Sequence, residues 1–151
     1  MSNPCHILVY RGTTPDFLPV LRELRRRMPG AHITVAAPPS YADDPGAAAL
    51  ADAVLVTERD AYSPRAPGAV LRLVRLLRAQ RADRFITLYR TGQQHVLAAA
   101  SGARQAEAWC WDGRIRPLAT SWTGLLLGSV GRALRGTLLR ALYWVRAGRL
   151  S

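Results

Sequence analysis

The sequence contains no lysine, so all 21 of its Lys/Arg positions are arginine, which is typical of a GC-rich bacterial genome. Its two cysteines, Cys5 and Cys110, fall in predicted strands and are too few for the disulfide framework of a small secreted domain. No Cys/His spacing is typical of a metal site, and the N-terminus lacks a signal-peptide pattern. No apolar run reaches the roughly eighteen residues that a spanning helix needs. These absences predict a cytoplasmic protein, soluble or peripheral on the inner membrane, without a metal site.

The common catalytic and nucleotide-binding fingerprints are also missing. No G-x-G-x-x-G follows the first predicted strand, and no G-x-x-x-x-G-K-[ST] occurs anywhere. No G-x-S-x-G occurs, so a serine nucleophile elbow is excluded. We therefore expect no cofactor.

The charge that is present is strongly positive and unevenly placed. The net charge is +11, and from Gly113 to the end the chain has seven arginines and no acidic residue. Such a segment favours an anionic partner, such as lipid headgroups or phosphates, or it forms a solvated face that keeps the protein soluble. Aromatic residues are not interleaved with the arginines as single-strand binders require, so we do not expect nucleic acid as a partner.

Strand and helix signals alternate along the chain. The hydrophobic pattern predicts strands at 5–10, 31–37, 53–57, 83–89 and 105–111, and helices at 16–28, 47–51, 69–80 and up to Gly102. Asp112–Gly113 predicts a hairpin turn to a last short strand. This order predicts a three-layer α/β domain of the Rossmann-like type, with a mainly parallel sheet in the order 3-2-1-4-5.

Residues 119–151 differ from this domain, which we place at 1–118. They can form one basic amphipathic helix with apolar residues on one side and arginines mostly on the neighbouring arc. Such a helix packs on its own sheet or on a partner chain, or it lies on an anionic bilayer. The residues expected to contact a membrane or a partner are Trp122, Arg132, Arg135, Trp144 and Arg146.

Polar residues follow the first and fourth predicted strands. In an open parallel sheet, ligands bind beyond the carboxyl ends of the strands where the strand order reverses, which here is between these two strands. Ser40 and residues 58–60 add polar groups at the rim. The residues expected to bind a ligand are Arg11, Thr13, Thr14, Arg90, Thr91, Gln94 and His95.

These residue types suit a saccharide or a phosphorylated ligand. Arginine binds phosphate or carboxylate with two parallel hydrogen bonds. Asp16 can act as a general base toward a sugar hydroxyl, or it can simply cap the helix that begins beside it. His95 can act as a general base near neutral pH, or it packs along its helix.

Two stretches resemble a known family. "ILVYRGTTPDFLPVLRELRRRMPGAHITVAAP" resembles the opening of the lipopolysaccharide heptosyltransferases (glycosyltransferase family 9), which have the GT-B fold, and "RADRFITLYRTGQQHVLAAASGARQAEAW" is similar to their later strand, helix and SGAR turn. The resemblance covers roughly residues 5–116 and implies that Asp16 is the catalytic base toward the acceptor sugar. Pro15 replaces the family's glycine. The spacing in sequence from Asp16 to the helix proline, Pro19, is about half of the corresponding spacing in the family. Residues 87–92 replace the family's Asp-Leu-x-Gly segment.

The resemblance covers only one of the two Rossmann-like domains of a GT-B enzyme. The nucleotide-sugar donor sits mainly on the second domain, so we do not expect the chain to be active alone. The second half is a separate subunit, or the chain is a non-catalytic relative, or it is one domain of a larger enzyme. We therefore expect an acceptor-side half-domain in cell-envelope saccharide biosynthesis, which works with a second glycosyltransferase subunit, as a homo-oligomer, or as a non-catalytic accessory. The alternative is a non-enzymatic scaffold or membrane-surface protein that uses the basic C-terminal helix.

Overall fold

A computed structural model describes residues 5–12, 17–62, 66–88, 91–110 and 114–124. Its strands are β1 His6–Tyr10, β2 His32–Ala37, β3 Ala53–Val56, β4 Arg84–Leu88, β5 Gln105–Trp109 and β6 Ile115–Pro117. Its helices are α1 Leu18–Arg27, α2 Pro45–Leu50, α3 Pro67–Ala79 and α4 Gly92–Ser101, with a 3₁₀ turn at Pro39–Tyr41.

The strands form one six-stranded sheet in the order 3-2-1-4-5-6. β1 to β5 are mutually parallel, and β6 runs antiparallel to β5. The predicted α/β class and the strand order are confirmed. β5 and β6 pair antiparallel, as the predicted hairpin requires, while its predicted turn at 112–113 lies outside the described residues.

Helices cover both faces of the sheet, so the central strands are apolar on both sides. Leu8, Phe85 and the α3 and α4 residues Leu73 and Leu97 belong to the core on one face, which we call the first core. Alternate residues of the same strands pack with α1 and α2 in the second core on the other face. This two-sided burial explains why the central strands are continuous apolar runs.

Helix α1 begins at Leu18, so the predicted start near Asp16 was wrong by two residues. Phe17 occupies the N-cap position without a capping side-chain bond, and Pro19 lies in the first turn. Proline is tolerated there because the first helical N–H groups have no partner within the helix. Phe17 is fully buried, so its packing in the second core determines how the chain enters the helix.

The connection from β2 to β3 is more ordered than predicted. A 3₁₀ turn forms where a loop was expected, and α2 begins at Pro45 rather than near Ala47. Asp44 caps α2 by accepting the N–H groups of Gly46 and Ala47. Proline directly after an aspartate is a helix-start signal, since aspartate accepts the unpaired N–H groups and proline lacks one.

Beyond β6 the chain begins a new helix. Residues 122–124 are helical, and the Ser121 hydroxyl accepts the N–H of Gly124 at 3.1 Å, as an N-cap does. Residues 125–151 lie outside the described part, and with them the predicted contact residues Arg132, Arg135, Trp144 and Arg146. Among the residues described, no helix is long and apolar enough to cross a membrane.

Candidate functional site

The strand order of the sheet reverses between β1 and β4, because β2 and β3 lie on one side of β1, whereas β4 and β5 lie on the other. Strands β1 and β4 are parallel neighbours, with Tyr10 opposite Thr87. The carboxyl ends of these two strands therefore lie side by side. This is the arrangement on which the predicted ligand site depends.

Arg11, the first residue after β1, is held inside the protein. Its side chain is only 4% exposed, and Nη1 donates to Oδ2 of Asp44 at 2.6 Å. The guanidinium also stacks over Tyr41, 4.1 Å from the ring centroid, and lies 5.0 Å from that of Phe17. The Nε–H is buried and has no hydrogen-bond partner among the described residues. The predicted role of Arg11 in ligand binding stays a prediction. The structure adds that Arg11 holds Asp44, the N-cap residue of α2, against the end of β1.

Asp44 joins this edge of the sheet to α2. One carboxylate oxygen accepts the Gly46 and Ala47 N–H groups at 2.9 and 3.2 Å, and the other accepts from Arg11. The hydrogen bond from Arg11 lowers the pKa of Asp44. Burial partly opposes this shift, and the hydrogen bonds from the two backbone N–H groups add to it. The sequence analysis missed Asp44, although the Asp-Pro dipeptide is a legible capping signal.

Thr91 and Gln94, both predicted to bind a ligand, form a capping box at the start of α4. The Thr91 hydroxyl accepts the Gln94 N–H at 3.4 Å, and Gln94 Oε1 accepts the Thr91 N–H at 3.0 Å. Gln94 Nε2 also donates to the Leu88 carbonyl at 2.6 Å, which fixes the helix to the end of β4. The structure thus gives both side chains a structural task at the predicted edge.

The remaining predicted site residues divide into two groups. His95 lies in the first turn of α4, partly exposed, and its N–H donates to the Thr91 carbonyl. The others lie outside the described residues, so the catalytic role of Asp16 stays a prediction, while the N-cap position of α1 that Asp16 was expected to fill belongs to Phe17. These others are Thr13, Thr14, Asp16 and Arg90.

At the predicted rim, the structure pairs polar groups with each other. Asp60 accepts the Ser40 hydroxyl at 2.8 Å and the Ser40 N–H at 3.0 Å. Glu58 accepts two hydrogen bonds from Arg72 at 2.7 and 2.9 Å. The segment after β3 is therefore tied both to the segment after β2 and to α3.

Two tyrosines missed by the sequence analysis lie on the first-core side of this edge. Tyr10 and Tyr62 are each 8% exposed. Burial, with a smaller contribution from Tyr62, raises the pKa of Tyr10 to about 12. Tyr62 Oη is buried without a partner among the described residues, and Gln93 Nε2 donates to the Tyr62 carbonyl at 3.2 Å. A buried strand end followed by polar residues was the available signal for Tyr10, while Tyr62 stands in a loop with no such pattern.

The described residues place no group of three or more His, Cys, Asp or Glu side chains where it could hold a metal ion. The carboxyl edge offers a buried arginine packed against two aromatic rings, buried phenol groups and a capped helix start. No protein-family model, curated protein or solved structure matches the chain.

Proposed function

We propose that the chain is a GT-B-like, acceptor-side half-domain that binds a saccharide or phosphorylated saccharide in cell-envelope biosynthesis. A donor-binding half on a second subunit would complete it as a glycosyltransferase. The observation that carries the proposal is the reversal of strand order between β1 and β4. It brings Arg11 and Gly12, which precede the family-like aspartate Asp16 in the sequence, to the same edge as the start of α4.

The rigidity around Arg11 supports this proposal. Transfer between two sugars requires the acceptor to be held in one orientation, and a mobile loop wastes binding free energy. Arg11 packs against the rings of Tyr41 and Phe17 and forms an ion pair with Asp44. The chain on either side of residues 13–16 is therefore anchored to the core. Buried N–H groups without a partner, such as Arg11 Nε–H, are rare and are found where water or a ligand completes the bonding.

The start of α4 supports an anionic or hydroxyl-rich ligand. A helix N-terminus presents N–H groups and the positive end of the helix dipole. The capping box holds Thr91 and Gln94, while Gly92 and Gln93 are exposed on the first turn. A sugar phosphate bound there would lie beside the segment that follows β1.

In the proposed transfer, Asp16 takes the proton of an acceptor hydroxyl while the hydroxyl oxygen forms a bond to the anomeric carbon of the donor sugar. The bond from that carbon to the nucleotide diphosphate breaks, and the diphosphate leaves with the electron pair. The donor and its nucleotide would be held by the second subunit. When that subunit is absent, the chain would bind its ligand without turnover.

An NMR titration of the full chain tests ligand binding. The probes are mannose 6-phosphate, mannose and inorganic phosphate, added to ¹⁵N-labelled protein. We expect amide shift changes at Gly12 and at Gly92 and Gln93, larger for the sugar phosphate than for phosphate alone. Shift changes confined to the opposite edge of the sheet, around His32, or no saturable change with any probe, would refute the proposed site.

Asp16→Asn tests the catalytic part separately. When the chain is reconstituted with a donor-side subunit, this variant should lose transfer while the unfolding midpoint stays the same. Asp43→Asn, which changes an exposed carboxylate after the 3₁₀ turn, is the matched control and should transfer normally. Unchanged turnover in Asp16→Asn would refute the role of Asp16 as the catalytic base.

A further inference from the structure

The amino edge of the sheet, opposite the proposed saccharide site, is where the chain leaves the domain. β6 returns antiparallel to β5, and the Leu118 N–H donates to the Ala106 carbonyl at 2.8 Å, near the start of β5. Leu118 is buried in the first core, so this exit point is fixed. Everything after residue 118 therefore starts at the amino edge.

Three exposed arginines gather at the same edge. The Arg78 side chain passes so close to the left-handed Gly102 that a Cβ there would lie 3.6 Å from its Cγ and Nε. The Arg81 N–H donates to the Arg78 carbonyl at 3.1 Å, and the Gln105 N–H donates to the Asp83 carbonyl at 3.1 Å. The second bond places Arg104 beside the segment that carries Arg81. The ends of α3 and α4 thus bring Arg78, Arg81 and Arg104 to one surface, which we call the amino-edge patch.

The charges of the amino-edge patch are not neutralised within the part of the chain that the structure describes. Several arginines elsewhere, such as Arg11, Arg25 and Arg72, pair with carboxylates. The three patch arginines have no ion pair among the described residues, and unlike the unpaired Arg22 and Arg59 they lie together at one edge. Asp83, the carboxylate closest in sequence, uses Oδ2 to accept the His6 N–H at 3.0 Å. The patch is therefore a positive surface available to an external anion.

An exposed tryptophan follows the exit point. Trp122 is 54% exposed, just after the Ser121 cap of the helix that starts there. Residues 125–151 continue with five arginines, no acidic residue and leucines at helical spacing. Tryptophan beside arginines is the composition of surfaces that sit in the headgroup region of a bilayer.

We propose that the amino-edge patch, together with Trp122, lies on an anionic lipid bilayer. This assigns membrane contact to the folded domain as well as to the C-terminal extension. A bilayer is favoured over nucleic acid because Trp122 is the only exposed Trp, Tyr or Phe among the described residues, and a single ring cannot form a row of stacking platforms. A strand of five residues spans about 17 Å, so the carboxyl edge would point away from the bilayer. The inference does not depend on the proposed saccharide function, which concerns that other edge.

Vesicle sedimentation of the full chain tests the inference. The vesicles are phosphatidylcholine alone or phosphatidylcholine with about one third phosphatidylglycerol, at about 0.1 M salt. The variant is Arg78→Gln/Arg104→Gln, which alters exposed side chains. Each arginine at an anionic surface strengthens partitioning about fivefold, so we expect a loss of about thirtyfold on the anionic vesicles. The control Arg22→Gln/Arg59→Gln removes the same charge from exposed positions on α1 and after β3, and should lose far less.

The outcomes separate a bilayer from other partners. An equal loss in both double variants would mean that net charge alone drives binding, and would overturn the proposal. Retention of binding in Arg78→Gln/Arg104→Gln would overturn it too and would leave membrane contact to residues 119–151 alone. Trp122→Ala should also weaken partitioning, since it removes an interfacial anchor. If the full chain does not bind vesicles, but binds a labelled single-stranded oligonucleotide that Arg78→Gln/Arg104→Gln does not bind, the patch is a nucleic-acid surface instead.

Discussion

Asp44→Asn isolates the ion pair at the carboxyl edge from the helix cap. Asparagine is as good an N-cap as aspartate, and its amide oxygen can still accept the Gly46 and Ala47 N–H groups. Its Nδ2 would face Arg11 Nη1 as a second donor, which leaves a guanidinium that is 4% exposed without an anion. Breaking a fully buried pair costs about 3–5 kcal/mol. Because the Asp44 side chain is 20% exposed, we expect about 2–3 kcal/mol.

Urea unfolding followed by circular dichroism measures this loss. Asp44→Ala should be destabilised by about 1 kcal/mol more than Asp44→Asn, because it also removes the cap. Arg11→Met/Asp44→Asn should recover part of the loss, since no unpaired charge stays buried. Asp43→Asn, the exposed neighbour, should change the free energy of unfolding by less than about 0.5 kcal/mol.

The pH dependence gives a second measure of the same pair. The folded pKa of Asp44 lies below its ordinary value of about 3.9, so its contribution is present above that pH and is lost as the pH falls through the folded pKa. The stability difference between the wild type and Asp44→Asn should therefore shrink below about pH 4. A difference that is already below about 0.5 kcal/mol at pH 7 would refute the reasoning.

Two further predictions concern the same edge. Thr91→Ala should lower the free energy of unfolding by about 1 kcal/mol by removing the capping hydroxyl, while Thr91→Ser should not; equal losses would contradict the capping role. Tyr10 should ionise at its raised pKa of about 12 in a phenolate absorbance titration, and Tyr62→Phe should lower that pKa. Since its folded pKa exceeds the ordinary value of about 10, its contribution to stability should fall as the pH rises from about 10 to 12. Titration of Tyr10 near pH 10 in the folded protein would contradict its burial.

The strand order was predictable because it follows from local patterns and short connections. Ile7, Leu8 and Val9 form a continuous apolar run, which is typical of a central parallel strand, and each is fully buried. Short right-handed crossovers then leave few arrangements for five alternating units. The antiparallel return of β6 onto β5 was also indicated by a local signal, the Asp112–Gly113 dipeptide.

The site was harder to predict because its contacts join distant parts of the chain. Arg11 and Asp44 are 33 residues apart, and only the pairing of β1 with β2 brings them together. The sequence therefore shows an arginine in a polar loop, but not that its charge is already matched. For Thr91 and Gln94 the opposite holds, since the T-x-x-Q pattern of a capping box was legible and a ligand role was inferred instead.

The position of β1 has a consequence for how the chain folds during synthesis. β2 can pair with β1, and β3 with β2, soon after they are synthesised. The other edge of β1 waits for β4, and the hydrogen bond from the His6 N–H to Asp83 spans 77 residues. Until that segment leaves the ribosome, one side of a mostly apolar strand is open to incorrect pairing. Closing so long a loop is slow, and partly formed sheets of this kind aggregate. The nascent chain should therefore depend on chaperones most strongly between the completion of β3 and the arrival of β4.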